Sequence, residues 1–300
     1  MAENVPPLVD PHHHLWDLDL MPYEWLRKPP QHPTGTVDIR KTYLLDDLLA
    51  DAKGLNLVRS VHLEAGADRS NPVAETAWLQ KIADERGFPH GIVGFAPLHD
   101  PEVGRTLEEH ARYPNFRGIR HIMNWDADPA RSQCDRPDYM TDPQWLAGYA
   151  ELERLGMSFD LQAVPFQMRD AAAVAHKHPT VPMIVNHTGM PMDQSPEGHT
   201  AWREGMRTLA REPNVSCKIS GFGMFDPDWT EASIRPYVLE TIELFGVERS
   251  MFASNFPVDK AYRPFVETFN VFREIVSGCS AGEQQKLFHD NAIRIYRIDG

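Results

Sequence analysis

The chain has 300 residues, of which 42% are hydrophobic, and it carries a formal net charge of −13 at pH 7. That length and apolar content are enough for a substantial buried core in one or two domains. The acidic balance argues against a nucleic-acid partner, and no apolar run approaches the length of a membrane span, so neither nucleic-acid-binding nor membrane-spanning proteins are expected.

The cysteines and the N-terminal residues favour a cytoplasmic protein. Cys134, Cys217 and Cys279 are far apart and odd in number. They predict neither a disulfide framework nor a zinc knuckle, which is typical of a reducing compartment. Residues 1–7 lack the basic and apolar regions of a signal peptide.

The first predicted strand, residues 8–14, contains Asp10, His12 and His14 at spacings of two. Because alternate side chains of a strand point the same way, these three should share one face at its carboxyl end. Two converging imidazoles can bind a divalent metal or move a proton. Surface histidines or an expression tag are the alternatives, but a tag would be longer and would not lie inside an apolar strand.

Short strands then alternate with amphipathic helices. The Pro-rich segment 21–33 and the polar segment 124–139 are predicted loops. The remaining predicted strands are 57–64, 91–96, 116–121, 158–162, 183–187, 215–220 and 251–254. The predicted helices are 44–52, 73–86, 103–112, 143–155, 168–178, 201–211, 234–245, 264–276 and 281–296.

Eight strands, each followed by helical sequence, indicate a parallel sheet. Eight such units in a chain of this length predict an α/β protein with a (β/α)₈ TIM barrel, formed as a single domain over residues 1–300. An open doubly wound sheet is the alternative. If it bound a dinucleotide, it would need a Gly-rich turn after the first strand, where this chain has three histidines.

In such a barrel the active site lies where the strands end. The polar residues at or just beyond predicted strand ends are Asp10, His12, His14, His62, Glu64, Arg120, His121, Asp160, Gln162, Asn186, His187, Lys218, Ser220, Asn255 and Asp259. Strand alternation predicts that only one of Asn186 and His187 points directly inward.

Several of these residues have structural alternatives. We expect His62 to be a buried core histidine. Arg120 could pair with a barrel carboxylate or bind a substrate carboxylate with its planar fork. Lys218 would be costly to bury alone, so either an ion pair with Asp160 or a substrate contact is expected.

Three segments of the chain carry the pattern of a known family. They are Val-Asp-Pro-His-His-His-Leu-Trp-Asp at 9–17, Pro-Met-Ile-Val-Asn-His-Thr-Gly at 182–189 and Phe-Ala-Ser-Asn-Phe-Pro-Val at 252–258. In that order they resemble the opening, the strand-6 histidine segment and the strand-8 Gly-Ser-Asp-Trp-Pro motif of the amidohydrolase superfamily, specifically its amidohydrolase 2 branch. The order and spacing of the three segments cover the whole barrel. The branch includes lactonases of sugar acids and of 2-pyrone-4,6-dicarboxylate, and also metal-dependent decarboxylases.

The resemblance implies a role for three histidines. His12 and His14 match the strand-1 pair, and His187 matches the strand-6 histidine. In many members these positions hold one divalent metal, such as zinc or manganese. In some lactonases they contact only the substrate carbonyl, so both a metal-bound and a metal-independent site are expected alternatives.

One position departs from the pattern. Asn255 stands where the family usually has the aspartate that activates water, and an amide cannot accept a proton at neutral pH. Asp259, nearby in sequence, and Glu64, at the end of the second strand, are the carboxylates expected to replace it as catalytic base.

Together these observations predict a hydrolase that opens a small lactone with activated water. Its substrate would be a small molecule, anionic or polyhydroxylated, bound by Arg120, Lys218, Asn255 and Gln162. A homo-oligomer is compatible with the sequence. A metal-dependent decarboxylase of the same branch is one alternative. A catalytically degenerate binding protein, which Asn255 would permit, is the other.

Overall fold

The computed structural model describes residues 5–27, 37–129 and 132–298, which contain one parallel sheet of eight strands in chain order. The strands are β1 (Pro7–His13), β2 (Asn56–Leu63), β3 (Gly91–Phe95), β4 (Phe116–Ile122), β5 (Ser158–Gln162), β6 (Met183–Val185), β7 (Val215–Ile219) and β8 (Ser250–Phe252). Each strand pairs in parallel with the next one along the chain. The predicted (β/α)₈ barrel is confirmed.

The first and last strands meet just beyond the end of β8. The backbone N–H of Asn255 donates to the carbonyl of His12 at 2.8 Å, and that of His14 donates to the carbonyl of Phe256 at 2.6 Å. These bonds bring the segment after β8 against the histidine-bearing end of β1. Residues that are more than 240 positions apart in the sequence are therefore neighbours at one end of the barrel.

Helices surround the sheet. They are α1 (Glu24–Arg27), α2 (Leu45–Asp51), α3 (Pro72–Arg86), α4 (Val103–His110), α5 (Pro143–Leu155), α6 (Met168–Lys177), α7 (Pro196–Ala210), α8 (Glu231–Phe245), α9 (Phe265–Ile275), α10 (Ala281–Gln285) and α11 (Asn291–Tyr296). Local sequence sets their ends. Before α5, the Asp142 carboxylate accepts the N–H groups of Gln144 and Trp145, and after it Gly156 adopts φ 64°.

The barrel interior is closed at the amino ends of the strands by the C-terminal helix. Val9, Val61, Val93 and Ile184 form one apolar cluster together with residues of α11 and its neighbour Ile298. Strands from opposite sides of a barrel can share such a cluster only through its interior. The last helix therefore fills one end and leaves the carboxyl ends of the strands for polar side chains.

Some boundaries differ from those predicted. The sixth strand ends at Val185, two residues early, and the predicted helix 281–296 is interrupted by a π-helical turn at Lys286–Asp290. Helix α1 lies within the predicted loop 21–33, of which residues 28–33 fall outside the described residues. Residues 130 and 131 of the predicted loop 124–139 also fall outside them. In the described ranges no helix is both long and apolar enough to cross a membrane.

Candidate active site

Three histidines converge at the carboxyl end of the barrel. The ring centroid of His12 lies 5.1 Å from that of His14 and 4.4 Å from that of His187. All three side chains are buried. The structure thus brings the three histidines singled out in the sequence into one cluster, from the ends of β1 and β6.

A bulge in β1 aims the first two of them. Its pairing with β2 shifts register between Asp10 and His13, which breaks the alternation expected along the strand. Asp10 does not join the histidines, and the prediction that it shares their face is wrong. Its carboxylate instead accepts the backbone N–H of Ser254 at 2.9 Å and the Ser254 hydroxyl at 2.6 Å.

A left-handed turn directs the third histidine. The chain leaves the sheet after Val185, and His187 lies in the turn that follows, with φ 52°. Asn186 donates to Asp160 at 2.9 Å while His187 packs on His12, so both residues turn inward and the prediction of only one is wrong. Gly221 has φ 76°, and a Cβ there would lie 2.7 Å from the His187 ring. Only glycine lets the backbone approach this closely.

The histidines are neutral at neutral pH. Burial holds the pKa of His12, of His14 and of His187 well below the ordinary value for histidine. The positive charge of Arg120 lowers all three pKa values further, and that of Lys218 lowers those of His12 and His187. The site therefore presents uncharged imidazoles within a positive electrostatic field.

Asp259 lies in the turn after β8, beside the histidine cluster. Its backbone N–H donates to the Asn255 carbonyl at 3.1 Å, and the Asn255 Oδ1 lies 3.4 Å from the His14 Nε2. Burial raises the pKa of Asp259 to about 8, although the Asn255 side chain and the Gly221 N–H act against this. A buried carboxyl group with a raised pKa beside such a cluster is typical of a proton-transferring residue.

Glu64, the other candidate base, is engaged with Arg120. The Arg120 Nε donates to the Glu64 carboxylate at 2.9 Å, and its Nη1 donates to the Gln162 Oε1 at 3.2 Å. The second Glu64 oxygen accepts the Gly66 N–H at 2.9 Å and lies 3.3 Å from the Arg69 guanidinium. Of the two alternatives for Arg120, the structure shows the pair with a barrel carboxylate.

Lys218 is also paired. Its Nζ donates to the Asp160 Oδ1 at 2.6 Å and lies 3.3 Å from the His12 Nδ1, and the side chain is fully buried. The ion pair with Asp160 is the alternative observed. His62 is a buried core histidine, as expected, with its Nε2 3.2 Å from the Leu15 carbonyl.

Sequence reasoning missed Tyr296. This residue of α11 enters the barrel from the amino ends of the strands, and its hydroxyl donates to Asp160 at 2.8 Å. The only signal was a tyrosine in an apolar C-terminal helix, since a buried tyrosine hydroxyl needs a partner. Nothing in the sequence indicated that the partner would be Asp160.

The histidine cluster does not fit a tightly bound divalent metal. Within the described residues, no three or more His, Cys, Asp or Glu side chains are arranged to hold one. The His14 Nδ1 lies 2.8 Å from the Leu63 carbonyl and its Nε2 lies 3.4 Å from the Asn255 Oδ1, while the His12 Nδ1 faces the ammonium group of Lys218. Asn255 contributes an uncharged amide where a carboxylate would offset the charge of the metal.

The chain is similar to known proteins over almost its whole length. It is 50% identical to the uncharacterized protein y4mH of Sinorhizobium fredii, over 97% of this chain and 98% of that one. It is 27% identical to L-fucono-1,5-lactonase of Burkholderia multivorans, over 97% and 96%. A Burkholderia multivorans amidohydrolase crystallised with bound zinc superposes with a TM-score of 0.81 at 25% identity, over 97% and 99%. The amidohydrolase family model matches residues 9–298, so the chain belongs to the amidohydrolase family.

Proposed function

We propose that this protein hydrolyses a small lactone. The observation that carries the proposal is the convergence of three buried neutral histidines with the buried carboxyl group of Asp259 at one end of the barrel. The similarity to a relative named L-fucono-1,5-lactonase supports a hydrolase that acts on ester bonds. A cytoplasmic location and assembly into a homo-oligomer remain predictions.

In the proposed reaction, ionised Asp259 takes a proton from water as the water oxygen bonds to the lactone carbonyl carbon. The carbonyl oxygen then carries negative charge, which the histidine cluster and the positive field of Arg120 and Lys218 stabilise. The ring carbon–oxygen bond breaks, and the leaving oxygen receives a proton from Asp259. The product is a hydroxy acid that releases one proton to solvent at neutral pH.

Substrate orientation is assigned to the polar groups around this centre. The Arg120 guanidinium is fixed by Glu64 and by Gln162, so its charge is held in one place. A fixed guanidinium and a side-chain amide suit a substrate that is anionic or carries several hydroxyl groups. Asn255, next to His14, is assigned to the same task.

The test is a panel of sugar lactones and aromatic-derived lactones, with hydrolysis followed by proton release in a weakly buffered indicator solution. Saturable proton release with at least one panel member is expected. Release of carbon dioxide from hydroxybenzoates instead would support the decarboxylase alternative. Specific binding without turnover across the panel would support a binding protein.

Activity should survive chelation. The described donor atoms do not fit a tightly bound metal. Dialysis against a strong chelator should therefore change kcat on the active lactone by less than about twofold. Removal of a catalytic metal would instead lower kcat by about 10²-fold or more. Elemental analysis checks the metal content of the same sample. One tightly held zinc or manganese per chain, lost together with activity, would contradict this prediction.

The rate should depend on a group with a pKa of about 8. Asp259 must be ionised to act as a base, so kcat/KM should rise as the pH approaches 8. Burial lowers the pKa of Lys218 to about 8 as well, so kcat/KM should fall again above that pH as Lys218 loses its positive charge. Asn255→Asp is nearly isosteric, and aspartate tolerates the φ of 57° at this position. The new carboxyl group would lie beside Asp259, and the two would share one proton, so that the first of them ionises at a lower pH than Asp259 does in the parent. The rate at pH 7 should then rise by up to about tenfold. Parent and variant pH–rate profiles, compared on one lactone, check this. An unchanged midpoint in the variant would contradict it.

A further inference from the structure

A lysine is fully buried inside the barrel and faces a histidine. Lys218 on β7 has no exposed surface, and its Nζ contacts the Asp160 Oδ1 at 2.6 Å and the His12 Nδ1 at 3.3 Å. Burying an ammonium group is costly even when it is paired. A neutral pair of residues could fill the same space, so the cation calls for a functional explanation.

The surrounding contacts hold this ammonium group in place. The Asp160 Oδ1 also accepts the Tyr296 hydroxyl at 2.8 Å and the Asn186 amide at 2.9 Å. The Tyr296 ring centroid lies 5.1 Å from the Lys218 Nζ. Tyr296 and Asn186 hold the Asp160 carboxylate in place, and that carboxylate holds the Lys218 ammonium group. The ammonium group is therefore kept in one position, facing His12.

This contact determines which nitrogen of His12 carries the proton. An ammonium group only donates hydrogen bonds, so the His12 Nδ1 must accept. In a neutral imidazole the proton is then on Nε2. The His12 Nε2 is buried and has no hydrogen-bond partner in the described part of the chain. A buried N–H group without a partner is unfavourable unless a ligand supplies the acceptor.

The neighbouring histidine has the opposite arrangement. The His14 Nδ1 lies 2.8 Å from the Leu63 carbonyl, an acceptor, so this nitrogen carries the proton and Nε2 carries a lone pair. The Asn255 amide, whose nitrogen otherwise has no partner, must then turn its N–H₂ group toward Nε2. His12 therefore offers a donor without a partner, whereas the Nε2 of His14, whose ring centroid lies 5.1 Å away, carries a lone pair and contacts the Asn255 side chain. Only the donor can stabilise a carbonyl oxygen that gains negative charge.

We propose that Lys218 is a positioning residue, which holds His12 as the Nε2–H tautomer so that this N–H donates to the lactone carbonyl oxygen. The inference rests on the proposed function for the identity of the acceptor. It reassigns Lys218 from substrate contact to control of a histidine. It also accounts for the poor metal fit, since a protonated Nε2 has no lone pair for a metal.

Two variants test the inference. Lys218→Met removes the donor but leaves Asp160 buried without its charge partner, which could prevent folding. Lys218→Met combined with Asp160→Asn removes both charges and keeps the volumes similar. The matched control is Lys286→Met with Glu248→Gln, an ion pair on the surface.

The first readout is the tautomer itself, from proton–nitrogen correlation NMR of protein with isotope-labelled histidine. His12 is assigned from the signals lost in His12→Gln. The parent should show the proton on Nε2. The double variant should show a mixed or reversed tautomer at His12, and the control should match the parent. A purely structural role for Lys218 would not move these signals.

The second readout is kcat on an active lactone, and the third is the affinity for zinc. On an active lactone, the double variant should lose about 10-fold to 10²-fold in kcat with a smaller change in KM, because the contact strengthens in the transition state. By calorimetry it should bind zinc at least about tenfold more tightly than the parent, since the His12 Nε2 gains a lone pair. The control should change neither value.

The outcomes separate this inference from the proposed function. A parent protein with the His12 proton on Nδ1, or a double variant with an unchanged tautomer, would overturn the role of Lys218 whatever the substrate. If the parent shows the Nε2–H tautomer and the double variant loses it, but no lactone is hydrolysed, the lysine's control of His12 is upheld and the proposed function is refuted.

Discussion

Replacing Asp259 with asparagine should lower kcat on the active lactone by about 10²–10⁴-fold, the usual worth of a general base. The carboxyl group is buried, lies in the turn that follows β8, and has its pKa raised by that burial to about 8. Asparagine keeps the shape and cannot accept the proton, so KM should change little. Steady-state kinetics near pH 8, where part of Asp259 is ionised and part of Lys218 is still charged, measure the effect.

The control for this variant is Asp46→Asn. Asp46 forms an exposed ion pair with Arg86 and lies outside the site, so its amide should leave kcat unchanged. Full activity in Asp259→Asn, on a lactone that the parent clearly hydrolyses, would show that Asp259 is not the base. If Glu64→Gln also kept full activity, the mechanism would rest on a histidine, and His187, which packs on His12 from the end of β6, would be the first residue to examine.

The barrel was predictable because its signal is local and repeated. Each strand is a short apolar run, and each helix has its own apolar spacing and terminal residues, such as the Asp142 cap and Gly156 around α5. Eight repeats of that pattern leave few topologies. Parallel order then follows from the connections, without knowledge of any particular contact.

The site was predictable only where it depended on strand ends. His12, His14 and His187 were placed at one end of the barrel because strands 1 and 6 end there. The orientation of Asp10 was predicted wrongly because a bulge depends on pairing with the neighbouring strand, which the sequence of β1 does not specify. His187 turns inward through a left-handed backbone that alternation cannot predict.

The sequence could not predict which side chains, far apart along the chain, contact each other. Lys218 and His12 are 206 positions apart, and the hydroxyl that fixes their common partner Asp160 comes from Tyr296 in the last helix. Each pairing depends on which side chains of different strands reach the same level of the barrel. For Arg120 and Lys218 the residue types limited the expected partners to two alternatives each, and only the barrel geometry shows which partner is present.

Glu64, the other candidate for the catalytic base, gives the second large expected effect when it is replaced. Glu64→Gln should lower the free energy of unfolding by about 3 kcal/mol, because it leaves the buried Arg120 guanidinium without its counter-charge. KM should rise as Arg120 loses its fixed position. The rise of kcat/KM up to about pH 8 should remain, since it belongs to Asp259. Urea denaturation and a pH–rate profile measure these quantities on one preparation.

The matched control is Glu108→Gln, which removes the carboxylate of an exposed arginine–glutamate pair at 2.8 Å. Pairs in that setting contribute about 0–1 kcal/mol, so the contrast isolates the effect of burial. If Glu64→Gln kept the parent's stability but abolished the dependence on pH, Glu64 would be the base and Asp259 would not. If the variant were less stable but kept the parent's dependence of rate on pH, Glu64 would serve to hold Arg120 in place. The reason is that losing the counter-charge of Arg120 weakens the fold but does not remove the proton acceptor from the reaction.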